Sequence, residues 1–123
     1  MVSIEYFGIS AFRLITEAGI SIIIDPCITH NSLCPIGIND ISDIDLILVT
    51  HGAPDHMGDA IELQKRTNAT LISGPAVRVH AWKHGVSPNK TIAILWGDQI
   101  ESHGISIRAV ECRHVSFFQS TEG

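Results

Sequence analysis

The first thing this chain lacks is an apolar run long enough to cross a bilayer. The longest, such as Ile20 to Ile24 and Leu46 to Val49, fall far short of the roughly 20 residues that a spanning helix needs. It also lacks any cluster of Lys and Arg, and its formal net charge is −5. Unspecific nucleic-acid binding needs a basic footprint, so that class is set aside. No charged segment followed by an apolar stretch stands at the start. Val2-Ser3-Ile4-Glu5-Tyr6-Phe7 alternates there, as a strand does. The expectation is a cytoplasmic protein with neither a membrane nor a nucleic acid as partner. Cysteine is scarce too. Cys27, Cys34 and Cys112 are odd in number and form no Cys-x-x-Cys pair, which excludes a closed disulfide framework. Each reads as a small buried apolar residue.

What is present is enough for a core. Apolar residues make up 45% of the 123 positions and charged residues 17%, a balance that argues against disorder and for one domain. The first third reads as β-structure: residues 2–7, residues 11–16, a Glu17-Ala18-Gly19 turn, then residues 20–25 up to Pro26. Residues 27–43, with Pro35, Gly37 and several Ser, Asn and Asp, read as a long loop of the kind that shapes a pocket. Leu46-Ile47-Leu48-Val49-Thr50 is continuous enough for a strand buried on both faces. Pro54 suits the first position of a helix running to about Lys65-Arg66. Residues 70–73 read as a strand, 75–84 as a second helix closed by Gly85, and 91–95 and 104–112 as further strands. The sum is an α/β (α+β) chain: a mixed β-sheet with helices on one face.

Chemistry concentrates in Val49-Thr50-His51-Gly52-Ala53-Pro54-Asp55-His56-Met57-Gly58-Asp59. A buried strand delivers a polar loop, and a helix begins at once. Imidazole nitrogens and carboxylate oxygens are what a zinc-class ion takes, and strand-end loops on a rigid sheet are where such sites sit. His51 and His56 flank a turn, so they can face one cavity, and Asp55 adds a negative donor.

This stretch resembles the His-x-His-x-Asp-His signature of the metallo-β-lactamase superfamily. Gly8-Ile9-Ser10-Ala11-Phe12 is similar to the Gly-His-Ser-Ala-Phe segment of the branch that holds the L-ascorbate-6-phosphate lactonase-like metal-dependent hydrolases. Ile24-Asp25-Pro26 and Gly58-Asp59-Ala60 resemble that branch as well, and Ser116 beside His114 suits it. The resemblance implies half of an αββα sandwich: the N-terminal half, spanning residues 1–123 as a single truncated domain. It implies that His51 and His114 bind one metal and that Asp55 and His56 bind a second. Asp55 would also serve catalysis by orienting the nucleophile, while Asp25 and Asp59 would hydrogen-bond the ligands from behind. The metal would be zinc, with Mn2+ or Fe2+ as alternatives. Its hydroxide would attack an ester, lactone, amide or phosphodiester of a small-molecule substrate.

Three departures weaken that picture. The second His of the signature is Ala53, whose methyl group ligates nothing. The His of the Gly-His-Ser segment is Ile9. The bridging Asp and final His that the superfamily draws from a second βα half are not among these residues. Cys112, two residues before His114, would share its face on a continuing strand and could replace the lost imidazole. The pair His80 and His84 reads as a helix surface before it reads as a metal site, and His30 and His103 read as loop residues. One half of the fold would leave an apolar sheet face bare at Ile22, Ile24, Leu46 and Leu48, so a homodimer or the missing half is the expected partner. Two functions follow: a metal-dependent hydrolase impaired by these departures, or a non-catalytic module for metal binding, interaction or oligomerisation built on the same fold.

Overall fold

The computed structural model describes residues 1–118. Six strands form one mixed sheet in the order of the chain: β1 (Ser3–Tyr6), β2 (Phe12–Ile15), β3 (Ser21–Ile24), β4 (Leu46–Leu48), β5 (Thr70–Ser73) and β6 (Thr91–Ala93). β1, β2 and β3 run antiparallel to one another, and β3 to β6 run parallel. The tight turn at Gly19 (φ 84°) makes the antiparallel link possible. Each parallel step needs a crossover.

The crossovers build the layer on one side. β4 passes through α1 (Pro54–Met57) and α2 (Ala60–Thr67) to β5, and β5 passes through α3 (Pro75–Lys83) to β6. Side chains pointing to that side from adjacent strands, Ile23, Ile47 and Leu71, are fully buried beneath Leu63, Val77 and Ala81. The β3–β4 crossover has no α-helix. Residues 27–43 instead carry Ile28 and Ile41 into the same core, joined by Ile44. Asn31 pins the loop by donating to the carbonyls of Phe7 (3.0 Å) and Cys27 (2.9 Å). The long loop is thus a packed layer of its own.

The helix expected over residues 54–66 is two helices. The break falls at Gly58, at φ 45° and ψ −121°. A Cβ there would lie 2.5 Å from the Cys27 Cα and 2.5 Å from the Pro26 carbonyl oxygen. The chain bends because it passes against the loop that leaves β3, a tertiary contact that local propensity does not record.

The opposite face of the sheet, expected to be bare at Ile22, Ile24, Leu46 and Leu48, is covered there: Ile22 and Leu46 are buried and Ile24 and Leu48 half-buried, because a later hairpin folds back over them. β7 (Gln99–Ser102) and β8 (Ile105–Arg108) form a separate hairpin whose Ile100, Ile105 and Ile107 pack on Ile22, Leu46 and Ile72. The expected strand over 104–112 therefore stops at Arg108, where its four-residue partner β7 runs out. Residues 109–118 continue without further strand pairing. No helix among the described residues is long and apolar enough to cross a membrane.

Candidate metal centre

The candidate residues meet at the carboxyl ends of β3 and β4, the edge where parallel sheets place their ligands. Asp25 follows β3 directly and is buried, with a left-handed backbone (φ 47°) that Asp tolerates better than β-branched residues do. Its amide donates to the Leu48 carbonyl (2.9 Å). Its carboxylate reaches across to the neighbouring loop. Oδ1 accepts from the Thr50 amide (2.8 Å), and Oδ2 accepts from the Thr50 hydroxyl (2.7 Å) and from Nδ1 of His56 (2.8 Å). One buried side chain therefore ties two strand ends together and holds one of the expected ligands.

His51, His56 and His114 come together. The rings of His51 and His56 are 4.2 Å apart, and those of His51 and His114 are 4.7 Å apart, centre to centre. His114 arrives on the segment after β8. That segment is fastened to the loop by Gly52, whose amide donates to Ser116 Oγ and whose carbonyl accepts from the Phe117 amide, both at 2.9 Å. A Cβ at Gly52 would lie 2.4 Å from the tip of the Phe118 ring, which would have to swing aside to admit it. Burial holds the pKa of His51 below the usual imidazole range, the neighbouring His56 and His114 lower it further, and Asp25 and Asp55 oppose them.

Asp55 is exposed, with Oδ1 3.8 Å from Nε2 of His56. Asp59 accepts from the amides of Ile28 (3.0 Å) and Thr29 (2.8 Å), so its carboxylate steadies the loop after Pro26. Ala53 is buried at the start of α1. It lines a cavity of about 610 Å³ with Asp55, Asp59, Cys27, His80 and His84. His51 and His114 line a separate cleft of about 170 Å³ with Thr50, Cys112 and Trp96. The larger cavity takes Asp55 but neither His51 nor His114, and ligand chemistry outranks size in locating the centre. Cys112 Sγ stands 3.7 Å from Nδ1 of His51, the nitrogen that also meets Thr50 Oγ1 at 3.0 Å. The thiol thus faces an edge of the ring that is already engaged. Ile9, where the resemblance expects His, has φ 54°, a conformation unfavourable for a β-branched side chain.

Among the described residues, no three His, Cys, Asp or Glu side chains already converge with the geometry of a finished metal site. The donor set nonetheless suits a divalent ion: imidazoles, one of them backed by a buried carboxylate as metal-ligating histidines commonly are, and a free carboxylate at the rim. Thr50 escaped the sequence reading. A hydroxyl immediately before a histidine has no periodic signature, and only the folded register sets it beside Asp25.

Residues 3–123 match the profile of the β-lactamase superfamily domain. The chain is 36% identical over 120 residues to a UPF0173 metal-dependent hydrolase of Methanosphaera stadtmanae, which covers 97% of this chain and 50% of that protein. It is 34% identical over 118 residues to a UPF0173 metal-dependent hydrolase of Thermus thermophilus, covering 96% and 50%. Among solved structures it superposes with a TM-score of 0.82 and 31% identity on Igni18, a metallo hydrolase of the archaeon Ignicoccus hospitalis, over 94% of this chain and 51% of that one. The chain spans about half the length of these relatives. The mixed sheet with helices on one face corresponds to half of a metallo-β-lactamase αββα sandwich. This chain belongs to the β-lactamase superfamily.

Proposed function

We propose that this chain supplies one half of the active centre of a metal-dependent hydrolase, with His51, Asp55, His56 and His114 as metal-facing residues. The observation that carries the reading is the gathering of three imidazoles at one sheet edge, with His56 held at 2.8 Å by the buried Asp25. The relatives' description as metal-dependent hydrolases supports it. A divalent ion in such a site supplies an activated water at neutral pH and polarises a carbonyl or phosphoryl bond. This chain's residues do the rest. Burial keeps His51 neutral and able to donate a lone pair. Asp25 fixes the His56 ring. Asp55, exposed beside His56, is placed to orient a water or take its proton. Zinc fits the imidazole-rich set best, with Mn2+ or Fe2+ as alternatives. The substrate is a small ester, lactone, amide or phosphodiester, the lactone being what the resemblance to the ascorbate-phosphate lactonase branch favours. The bare apolar face at β1 and β2 calls for a partner, either a second copy of this chain or the remaining half of such a domain.

A second reading has its own observation. Ala53 is buried where the superfamily signature places a ligand, so the chain would keep the scaffold for metal binding or assembly without turnover. Metal content separates the readings from each other and from a dead site. After dialysis, the chain should retain zinc, and Ala53→His should tighten zinc binding at least about tenfold, because it returns an imidazole to the position where the superfamily signature carries a ligand. Equal affinity in both, or less than about a tenth of an ion per wild-type chain, would count against a metal centre. Zinc retained without hydrolysis of any ester or lactone, even in Ala53→His, would favour the second reading.

A further inference from the structure

Two imidazoles on this sheet edge share a single anchor, and the chemistry of that anchor leaves little choice about where their protons sit. The Asp25 carboxylate can only accept hydrogen bonds. His56 therefore donates through Nδ1 across 2.8 Å, and in the neutral ring this leaves the lone pair on Nε2. The Thr50 hydroxyl owns one proton. Its short contact of 2.7 Å to Oδ2 of Asp25 commits that proton to the carboxylate. Only lone pairs then remain on Thr50 Oγ1 to face Nδ1 of His51 at 3.0 Å; the other group near that nitrogen, Cys112 Sγ, is farther off at 3.7 Å, so the shorter contact favours a ring that donates as well.

We infer that Thr50 is a positioning residue that extends the reach of Asp25 to a second histidine, so that one buried carboxylate sets the tautomer of both His51 and His56. Both rings then turn Nε2, unprotonated, away from the anchor. Thr50 gains this role from register. β3 and β4 are parallel neighbours with Ile24 opposite Leu48, which sets Asp25 and the 49–51 turn side by side. The Thr50 amide, donating to Oδ1 at 2.8 Å, engages the other carboxylate oxygen and leaves Oδ2 to both other donors. The three bonds use both oxygens of Asp25. A purely structural role for the same contacts would tie the two loops together without dictating a proton position, and the two roles separate experimentally.

The consequence for metal binding rests on the reading of His51 and His56 as ligands, whereas the proton positions can be measured without metal. In the metal-free 123-residue chain, ¹⁵N–¹H correlation spectra of the histidine rings report which nitrogen carries the proton. The wild type should show both His51 and His56 protonated at Nδ1. Thr50→Val keeps the shape and removes the hydroxyl. It should release His51 to a mixture of tautomers and leave His56 unchanged. Thr50→Ser, which keeps a hydroxyl, should restore the wild-type pattern, and Asp25→Asn should disturb both rings. Zinc affinity, read by competition with a chromophoric chelator, should fall about tenfold or more in Thr50→Val and recover in Thr50→Ser, as it does when an outer partner of a ligand is lost. A wild-type His51 protonated at Nε2, or a Thr50→Val spectrum identical to wild type, overturns the inference. If the tautomers respond as expected but the wild type binds no zinc, the relay stands and the proposed metal centre falls.

Discussion

The two faces of the six-stranded sheet obey the same alternation and end in different states. Toward the helices, Ile23, Ile47 and Leu71 are each 0% exposed. On the other side, the register that sets Tyr6 opposite Phe12 and Ile4 opposite Leu14 leaves Tyr6 58% exposed, Ile4 66% and Phe12 37%. The β1–β2 hairpin even inverts the usual order, since its helix-side row is the ion pair Glu5–Arg13 (2.8 Å) and its apolar row faces outward. The β7–β8 hairpin covers the middle of that outer face and does not finish it. The contrast teaches that the alternation alone does not decide burial: the same apolar row is covered where a helix or hairpin lies over it and stays exposed at β1 and β2, the patch on which the proposed partner would sit.

Truncation on the two sides breaks or confirms that contrast with the largest effect. Leu63→Ala removes a fully buried side chain from the helix-side core and should cost about 3 kcal/mol of stability in urea unfolding. Ile4→Ala on the bare face should change stability by less than about 0.5 kcal/mol in a monomeric chain. An Ile4→Ala cost of about 2 kcal/mol or more, falling on dilution, would mean that a second copy already buries this face, and sedimentation of the wild type should then show a dimer.

The next effect is a backbone one. Gly58→Ala should destabilise by more than about 1 kcal/mol, because φ is 45° and the added methyl would meet the Pro26–Cys27 backbone at 2.5 Å. Urea unfolding checks it, and a neutral substitution would mean that the loop after β3 can retreat from α1. This contact also shows what the sequence could not say. Strands β1 to β6 were legible from alternation, β-branched runs and Gly turns, β6 ending two residues short of the expected 91–95. The break between α1 and α2 was not, since its cause lies 31 residues upstream. β7 was missed because Gln99-Ile100-Glu101-Ser102 holds a single strong apolar residue between two turns. At the site, the loop that carries His51, Asp55 and His56 stood out by residue type and spacing, whereas His114 was singled out only through the resemblance, and the structure sets its ring 4.7 Å from that of His51. The hold of Asp25 on His56 and Thr50 was only half legible, and the bond of Asp59 to the loop amides was not, because both depend on which strand ends become neighbours.

The smallest effect expected here is a pH dependence that belongs to the helix-covered half and its rim. Burial lowers the pKa of His51, helped by His56 and His114. Burial also lowers that of His80, helped by His84 and Lys83. In the unfolded chain both return to about 6.5. Between the lowered folded values and 6.5 the unfolded chain binds more protons than the folded one. Stability of the metal-free chain should therefore be level above about pH 6.5 and should decline as pH falls through that window. His80→Gln removes one of the two titrating groups. The ring of His80 also stacks on Phe118 at 4.0 Å, so the substitution lowers stability at both ends of the range. The informative quantity is the difference between urea midpoints at about pH 7.5 and about pH 5.5. That difference should shrink in His80→Gln. An unchanged difference would assign the acid sensitivity to the imidazoles at the sheet edge and leave the helix face without a share in it.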